Sequence, residues 1–279
     1  MRADGTRVYN EDPMYYLVPY FLTKRYDAQN MITIDIPEAP MKEYMNRKRK
    51  EGRPVCHLAL VLTAYLRALD KFPQLNRFVV NSRVYQHNDI AVSMVVLKPG
   101  GTGTMSKIYL EPEDDIFDVQ DKIMAYTAQN RQEGETNGLD RFMGKIVQMG
   151  WLLRPLIGLI RWLDNVNLLP KALINISPFH ASLLITNLAS IRTNHIYHHA
   201  YDFGTTSLVM AAGNTREVPR RTRDGEIVHE KCLPLGLVMD ERIASGYYFA
   251  QAFRRMKEYF RNPALLEEPP ERILEDPEL

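Results

Sequence analysis

The sequence is poor in cysteine, which excludes a fold held together by disulfides. Cys56 and Cys232 are the two cysteines of a 279-residue chain. They lie far apart and do not form the C-x-x-C spacing typical of a metal or redox site. A chain of this length can bury a sufficient core without cross-links or metals. We therefore expect two reduced thiols in a cytoplasmic protein, with no metal site.

The chain also lacks an excess of charge of either sign. Its 35 basic and 34 acidic residues leave a formal net charge of +1. Such a balance gives no electrostatic argument for nucleic acid or an anionic membrane as the main partner. Basic clusters occur at 47–50 and 220–223, beside turn-forming residues. We interpret both clusters as solvated surface.

Long apolar runs are missing as well. No run reaches the ~18 residues of a membrane-spanning helix, and the first residues lack the apolar region of a secretion signal. The nearest run, residues 149–169, is interrupted by Arg154, Arg161 and Asp164. Core packing is our first interpretation of its helically spaced leucines and isoleucines. A wall for an acyl chain or a membrane-surface patch is the alternative. We do not expect membrane contact.

What the sequence does contain is a mixture of strand and helix patterns without strict alternation. Period-2 alternation and short apolar runs predict strands, and apolar stripes at helical spacing predict helices. The predicted strands are 31–36, 77–80, 83–85, 90–97, 105–110, 182–187, 207–212 and 227–240; the predicted helices are 41–51, 57–72, 115–129, one or two within 139–169 broken near Pro155 and Pro170, and 246–260. These patterns predict an α+β fold with helices on a largely antiparallel or mixed sheet.

The remaining segments predict the organisation of the chain. The glycine-rich residues 99–103 are followed by a strand pattern, so we expect a hairpin turn rather than a phosphate loop. Residues 223–226 carry a second hairpin-turn signal. We expect a single domain over 14–266, between a polar arm at 1–13 and an acidic, proline-bearing tail at 267–279.

Three blocks of the sequence resemble one enzyme family. Residues 233–246 (LPLGLVMDERIASG) read as a strand, a loop and a helix start, and residues 183–191 (LLITNLASI) read as a strand ending in polar residues. Residues 59–76 form a helix pattern followed by P-x-L-N. All three are similar to blocks of the chloramphenicol acetyltransferases and of the acyltransferase subunits of 2-oxoacid dehydrogenase complexes. The resemblance covers about residues 14–266.

The resemblance implies a two-layer α/β sandwich that assembles as a homotrimer, with active sites between subunits. Coenzyme A would enter each site from one side and the acyl acceptor from the other. Coenzyme A or acyl-coenzyme A is then a cosubstrate, and no permanently bound cofactor is expected. The dehydrogenase subunits also carry lipoyl and subunit-binding domains. Because no such domain precedes this one, we expect a small acceptor other than a lipoyl arm of the same chain.

The sequence departs from the family at the catalytic motif H-x-x-x-D-G. Glu241 stands where the histidine base is expected, Ser245 replaces the aspartate, and Gly246 is kept. A glutamate of pKa ~4.3 facing a thiol of pKa ~8.5 makes proton transfer unfavourable by roughly 5.7 kcal/mol, against about 2.7 for histidine. Glu241 would therefore need a desolvated pocket to act as base. Arg25 is the candidate for the family's N-terminal arginine, and Ser245 cannot supply the charge that normally pairs with it.

Other residues offer roles in the same site. The resemblance assigns oxyanion stabilisation to Thr186, with Asn187, Arg25 and Gly246 beside the substrate or coenzyme A. Ordinary hydrogen bonding within the strand ladder and the turn is the alternative for Thr186 and Asn187. His198 or His199 is a candidate replacement base, since a neutral imidazole accepts a proton more readily than a carboxylate. Packing at a subunit interface is the alternative for these histidines, and a metal site with Asp202 is a third interpretation. His57 and His180 are interpreted as structural.

Three functions remain open from the sequence, and the third of them is a lipid- or membrane-associated transferase that uses residues 151–162. The first is a coenzyme A-dependent acyltransferase with a non-standard base, using Glu241, Ser245, Thr186 and one of the two histidines. The second is a catalytically silent homotrimer that binds acyl-coenzyme A or a partner protein. The double change at the catalytic motif favours the second, and the retained framework around Gly246 suits the first two.

Overall fold

The structure, a computed structural model, describes residues 2–9, 12–97, 103–131, 144–148 and 150–270. Its strands are β1 (Gly5–Arg7), β2 (Gln29–Pro37), β3 (Arg77–Val80), β4 (Arg83–His87), β5 (Ile90–Leu97), β6 (Gly103–Leu110), β7 (Leu183–Asn187), β8 (Leu208–Ala212), β9 (Arg216–Arg221) and β10 (Ile227–Asp240). Its main helices are α1 (Pro13–Phe21), α2 (Glu38–Lys50), α3 (His57–Leu69), α4 (Ile116–Arg131), α5 (Leu153–Asn165), α6 (Lys171–Ile176) and α7 (Gly246–Arg261). The predicted strands are confirmed, while β1, β9, α1 and α6 have no counterpart among the predictions.

The main sheet is built around β10. Its strand order is β2-β10-β8-β7-β5-β6, and β9 pairs with the first half of β10. The β5–β7 and β7–β8 pairs are parallel, and the other described pairs of this sheet are antiparallel. The second half of β10 is buried on both faces, which is why it reads as a nearly continuous apolar run.

Helices α2, α3, α4 and α7 cover one face of this sheet. Alternate residues of the strands, such as Ile185, Met210 and Leu237, share one core with these helices. From Ala59 to Leu69 every residue of α3 is buried. In α7 the buried residues recur at helical spacing, as in Phe249, Phe253, Met256 and Phe260. The prediction of a two-layer α/β sandwich on a mixed, largely antiparallel sheet is confirmed.

The predicted N-terminal arm is instead part of the packed structure. β1 pairs with β4 in a small second sheet of order β1-β4-β3. Arg2 is 4% exposed, and its guanidinium donates to Oδ1 of Asp164 at 2.5 Å. His180 Nε2 lies 3.3 Å from the same oxygen. The prediction of an arm is therefore wrong for residues 2–9, because backbone pairing and a buried ion pair hold them.

The second face of the main sheet is covered by an irregular segment, residues 193–201. This segment crosses β10 at Gly236 and the end of β8 at Gly213. A Cβ atom at Gly236 would lie 2.4 Å from the carbonyl oxygen of Ile196, and one at Gly213 would lie 2.1 Å from the amide nitrogen of His195. Both positions require glycine because the backbone of the segment lies directly on the sheet.

Helix α5 does not pack as the sequence interpretation proposed. Asp164 is its only buried residue, and Trp162 is 56% exposed. The interpretation of this segment as core packing is therefore wrong for the side of α5 that faces away from the protein. Pro155 stands in the first turn of α5, where its missing N–H costs no hydrogen bond. The break predicted near Pro155 is confirmed, since α5 begins at Leu153 after a 3-10 turn at Gly150–Leu152, and the one at Pro170 is confirmed because α6 begins just after it.

Several predictions fall on residues outside the described ranges. These are residues 99–102 of the glycine-rich turn, residues 139–143 and 149 of the apolar segment, and residues 271–279 of the tail. Glu267, at the start of the predicted tail, accepts a hydrogen bond from Lys48 at 2.8 Å and so packs on α2. Within the described ranges, no helix combines the length and apolar character that crossing a membrane requires.

The close approach at Gly236 predicts a specific loss of stability. Gly236→Ala places a methyl group against the carbonyl oxygen of Ile196, and such overpacking costs about 1–3 kcal/mol. The free energy of unfolding from urea titration measures this cost. Gly246→Ala is the matched control, since a Cβ there meets no atom within 4 Å. Equal stability of Gly236→Ala and the wild type would contradict the described path of residues 193–201.

Candidate active site

A buried carboxylate holds the turn between β10 and α7. Asp240 is 1% exposed, and its Oδ1 accepts from the backbone amide of Arg242 at 3.1 Å and from its Nε at 2.8 Å. Oδ2 accepts from Nη2 of Arg242 at 2.6 Å and lies 3.5 Å from Nε of Arg25. One carboxylate therefore neutralises two buried guanidinium groups.

Arg25 is fixed by partners inside the chain. Its guanidinium donates to the carbonyl oxygens of Tyr201 at 2.5 Å, Gly204 at 3.0 Å and Val79 at 3.2 Å. Burial lowers the pKa of the Arg25 guanidinium, and the Asp240 carboxylate opposes this shift. The sequence analysis assigned Arg25 to substrate or coenzyme A. In the described structure its side chain is 2% exposed and turned to these internal partners.

Glu241 follows directly and lies at the edge of the sheet. Its amide donates to the carbonyl oxygen of Ala28 at 2.9 Å. Its Oε2 accepts from Nδ2 of Asn30 at 2.7 Å, and the residue is half-buried. Asn30 pairs with Met239, whose side chain lies in the core beneath the helices. Glu241 is thus held on the helix side of β2.

Ser245 and Gly246 begin α7. The hydroxyl of Ser245 accepts from the amide of Tyr248 at 3.1 Å, which makes Ser245 the N-cap of the helix. Gly246 is exposed and has open space where a side chain would lie. Within one chain, Ser245 therefore caps the N-terminus of α7. No close contact with a described residue requires a glycine at position 246.

Thr186 lies on the opposite face of the sheet from the helices. It pairs with Ala211, which pairs with Gly236, which pairs with Thr33. These four residues form a row across the sheet beneath residues 193–201. Asn187 is the next residue along β7, so its side chain lies on the helix side of the sheet, where it lines a cavity.

The structure does not bring Thr186 and Glu241 of one chain together. Glu241 lies five residues beyond Gly236 along β10, and Thr186 lies two strands away from β10. At about 3.4 Å per residue and about 4.8 Å between strands, the two residues are about 20 Å apart. A site that uses both would need residues from two chains.

His198 and His199 lie on the sheet face opposite Glu241. Nδ1 of His198 contacts the carbonyl oxygen of His199 at 2.9 Å, and the two rings stack with centroids 5.3 Å apart. Next to them, Ala200 accepts from the side chain of Gln29, whose position on β2 faces away from the helices. Within one chain, neither histidine is positioned to assist Glu241.

Asp202 does not join these histidines. Its carboxylate accepts from the amide of Arg25 at 3.0 Å and from Nζ of Lys24 at 3.4 Å. Among the residues that the structure describes, no three histidine, cysteine or acidic side chains are grouped so that they could hold a metal ion. The geometry thus offers no support for the metal interpretation of residues 195–202.

His195 is the histidine with a defined partner that the sequence analysis did not select. Its Nε2 lies 2.9 Å from the hydroxyl of Thr33, which also lies 2.6 Å from the hydroxyl of Tyr197. Partial burial and the nearby Arg216 lower the pKa of this imidazole. The high histidine content of residues 195–199 pointed to this segment. It could not show which of His195, His198 and His199 has a side-chain partner.

Two cavities that share His57 in their lining lie beside the start of α3. The larger, about 720 Å³, is lined by charged residues Arg49, Arg53 and Asp121. His57 lines it and also a second cavity of about 260 Å³ that reaches Asn187 and Ser190. Burial lowers the pKa of the His57 imidazole. The basic cluster at 47–50 was interpreted as solvated surface, whereas its member Arg49 lines this cleft.

Removing the shared carboxylate should destabilise the fold strongly. Asp240→Asn leaves Arg25 and Arg242 buried without a counter-charge, and breaking a buried pair in this way costs about 3–5 kcal/mol. Arg216→Gln is the control, because its ion pair with Asp35 is exposed and such pairs contribute at most about 1 kcal/mol. Urea unfolding measures both. A loss for Asp240→Asn no larger than the control's would rule out the buried triad.

The cap at Ser245 gives a second stability prediction. Ser245→Ala removes the acceptor for the Tyr248 amide and should cost about 1 kcal/mol. Ser245→Asp keeps an acceptor and adds a favourable charge at the helix start, so it should be as stable as the wild type. Thermal unfolding compares the three proteins. Equal losses for both variants would show that capping is not the role of Ser245.

Comparison with known proteins agrees with this geometry. Residues 182–267, from β7 through α7, match the family described as 2-oxoacid dehydrogenases acyltransferase (catalytic domain). No curated protein matches the chain significantly. Among solved structures, the chain is similar to a dihydrolipoamide acetyltransferase of Azotobacter vinelandii, with 13% identity, 92% of this chain and 93% of the other covered, and a TM-score of 0.59.

Two further structures show the same fold. A probable dihydrolipoamide acetyltransferase of Listeria monocytogenes is 14% identical, with 92% and 94% of the two chains covered and a TM-score of 0.57. A chloramphenicol acetyltransferase is 12% identical, with 92% and 99% covered and a TM-score of 0.54. The resemblance found in the sequence is thus confirmed: the chain has the chloramphenicol acetyltransferase-like fold, and its residues 182–267 match the acyltransferase catalytic domain of 2-oxoacid dehydrogenases.

Proposed function

We propose that the protein is a coenzyme A-dependent acyltransferase that moves an acyl group from a thioester to a small acceptor. The observation that carries this proposal is the turn after β10. There the buried Asp240 and the bond from the Glu241 amide to Ala28 hold Glu241 in place, with its carboxylate at the sheet edge. Glu241 occupies the position of the family's histidine base.

The Azotobacter vinelandii dihydrolipoamide acetyltransferase supports the choice of residues. A serine, a histidine and an asparagine were investigated for their role in its catalytic mechanism, and the last two are four residues apart. In this chain, Thr186 corresponds to the serine by its place in the L-L-I-T-N-L strand. Glu241 and Ser245, also four residues apart, correspond to the other two. We assign the base to Glu241, the oxyanion contact to Thr186 and the support of the turn to Ser245.

The proposed site lies between two chains of a homotrimer. The separation of about 20 Å between Thr186 and Glu241 in one chain supports this arrangement, because one acyl carbonyl cannot contact both. The facing chain would also bury Glu241 more deeply. Desolvation of this kind is what a carboxylate needs in order to accept a proton from an alcohol or thiol.

The two cavities beside α3 suit coenzyme A as cosubstrate. Arg49 and Arg53 at the larger cavity offer charges for phosphate groups, and the second cavity continues to Asn187 at the end of β7. A ligand with an anionic end and a long neutral arm suits two arginines beside one cavity and a second, mainly apolar cavity next to it. We propose that the thioester end passes His57 and Asn187 to the end of β7, where it crosses to the face of the sheet that carries Thr186.

The reaction then needs only the acceptor, the thioester and side chains of the two protomers. The Glu241 carboxylate takes the proton of the acceptor's O–H, N–H or S–H group as that atom bonds to the thioester carbonyl carbon. The hydroxyl of Thr186 donates to the resulting oxyanion. Collapse of this intermediate breaks the carbon–sulfur bond, and the released coenzyme A thiolate recovers the proton from Glu241.

A silent binding protein is the second candidate, and the Glu241–Asn30 contact favours it. A carboxylate that already accepts from an amide at 2.7 Å is less available as a base. In this alternative the trimer binds acyl-coenzyme A or a partner protein without turnover. Both candidates keep the coenzyme A cavities, so activity rather than binding separates them.

The acyltransferase proposal predicts the effect of changing Glu241. Coenzyme A release from acetyl- and longer acyl-coenzyme A, with alcohol, amine and thiol acceptors, should fall about 10²- to 10⁴-fold in Glu241→Gln, the usual contribution of a positioned base. Glu217→Gln, an exposed change on β9, is the control and should keep full activity. An inert wild type, together with gain of activity in Glu241→His/Ser245→Asp, would favour the silent alternative instead.

Mixing variants tests whether two chains share the site. Thr186→Ala and Glu241→Gln should each be nearly inactive alone. Unfolding and refolding them together should restore part of the activity, because mixed trimers contain interfaces with both residues intact. Absence of any restoration, with mixed assembly verified by two affinity tags, would contradict a site between chains.

A further inference from the structure

Helix α5 presents an apolar stripe that the fold does not cover. Trp151, which precedes the helix, is 84% exposed, and Leu159 and Trp162 are 50% and 56% exposed. With Pro155 and Val166 they are spaced by three or four residues, so they form one continuous stripe along the helix. The opposite side of α5 faces the protein, as the burial of Asp164 shows.

Basic residues border this stripe, and the acidic side chain that contacts one of them is Asp202, which lies 3.9 Å from Arg161. Arg154 and Arg161 are exposed on α5. Asp164 is the one acidic residue between Gly144 and Tyr201 in the sequence. It is buried against Arg2 and His180. Burial works to raise the pKa of the Asp164 carboxyl, but His180 and Arg2 outweigh it and hold that pKa below its usual value. The exposed side of α5 is therefore apolar and positive.

The end of α1 adds to the same surface. Lys24, just after α1, and Arg161 line one cavity of about 340 Å³. Helix α1 exposes large apolar side chains, among them Met14 at 65% and Phe21 at 79%. A second exposed apolar helix thus ends beside α5, and Lys24 and Arg161 share the Asp202 carboxylate at 3.4 and 3.9 Å, which leaves one net positive charge on these three residues.

We propose that α5, with the end of α1 beside it, docks the protein on an anionic membrane surface. Tryptophan side chains on the apolar side and arginines beside them are typical of helices that lie in the interfacial plane. The helix would insert Trp151, Leu159 and Trp162 between headgroups, while Arg154 and Arg161 contact lipid phosphates. This inference is independent of the proposed acyl transfer, because it uses none of that site's residues.

Charge argues against a two-fold contact between copies of the chain through α5, and the acrylamide measurement below tests any other contact between copies. In a two-fold contact through α5, Arg154 and Arg161 of one copy would face the same residues of the other. Asp164 is already paired with Arg2 inside the fold, and Asp202 already contacts Arg161 and Lys24, so neither would offset arginines from a second copy. An anionic lipid surface supplies the missing negative charge and also accepts the apolar stripe.

The tryptophan content of the chain makes the test direct. The sequence has two tryptophans, and both lie on this stripe. With vesicles of phosphatidylcholine and phosphatidylglycerol, we expect a blue shift of the emission and quenching by brominated lipid chains. Vesicles of phosphatidylcholine alone should give much weaker effects, and added salt should reverse the binding.

Three variants separate the contributions. Arg154→Gln and Arg161→Gln should each weaken vesicle binding about fivefold, the usual effect of one basic residue near an anionic surface. Leu159→Glu should abolish binding while the circular dichroism melt stays close to that of the wild type. Arg223→Gln, in the exposed turn between β9 and β10, is the matched charge control and should bind as the wild type does.

Three results would overturn the proposal. The first is an unchanged tryptophan spectrum with phosphatidylglycerol vesicles. The second is equal weakening by Arg223→Gln, which would indicate general charge attraction rather than α5. The third is protection of the tryptophans from acrylamide without vesicles that increases with protein concentration, which would show that copies of the chain cover the stripe.

Discussion

The carboxylate of Asp240, placed between Arg25 and Arg242, is the interaction on which the arrangement of the site depends. Burying three charges is costly, and it is tolerated here because the guanidinium groups also donate to backbone carbonyls. Arg25 bonds Val79, Tyr201 and Gly204, and Arg242 bonds Leu22 at 3.0 Å. The end of β10 is thereby tied to three separate segments of the chain. The backbone that presents Glu241 has no freedom to move without breaking this network.

The glycine crossings organise the other face of the sheet. Because Gly236 and Gly213 lack side chains, residues 193–201 lie on the strands and cover part of that face. Thr186 lies on the face that these residues cover. Glu241 lies on the helix side of the sheet, beside the edge strand β2. A single chain therefore contains two half-sites of the proposed reaction, and their separation is a consequence of sheet geometry rather than of the motif change.

The proposed acyl transfer and the proposed membrane contact use different parts of the molecule. The coenzyme A cavities lie beside α3, under the helix layer, whereas the exposed stripe of α5 belongs to the part of the chain pinned by Arg2 and Asp164. Arg161 and Lys24 line a separate cavity with the buried Arg25, and no described residue of the coenzyme A cavities borders it. A membrane-bound protein with an acyltransferase site would meet acyl groups and acceptors of lipid character, which agrees with both proposals.

The sequence by itself determined the local elements and the turn after β10. Apolar periodicity located α3, α7 and the buried strands, because burial on one face imposes the spacing directly. The motif block 233–246 located Glu241 and Ser245, because a strand, a loop and a capped helix start are encoded by adjacent residues. Tertiary structure alone decided that Asp240 rather than residue 245 pairs with Arg25, since that contact joins segments more than 200 residues apart. It also decided that the stripe of α5 faces outward: helical spacing shows that a helix has an apolar side, but only packing shows whether anything covers it.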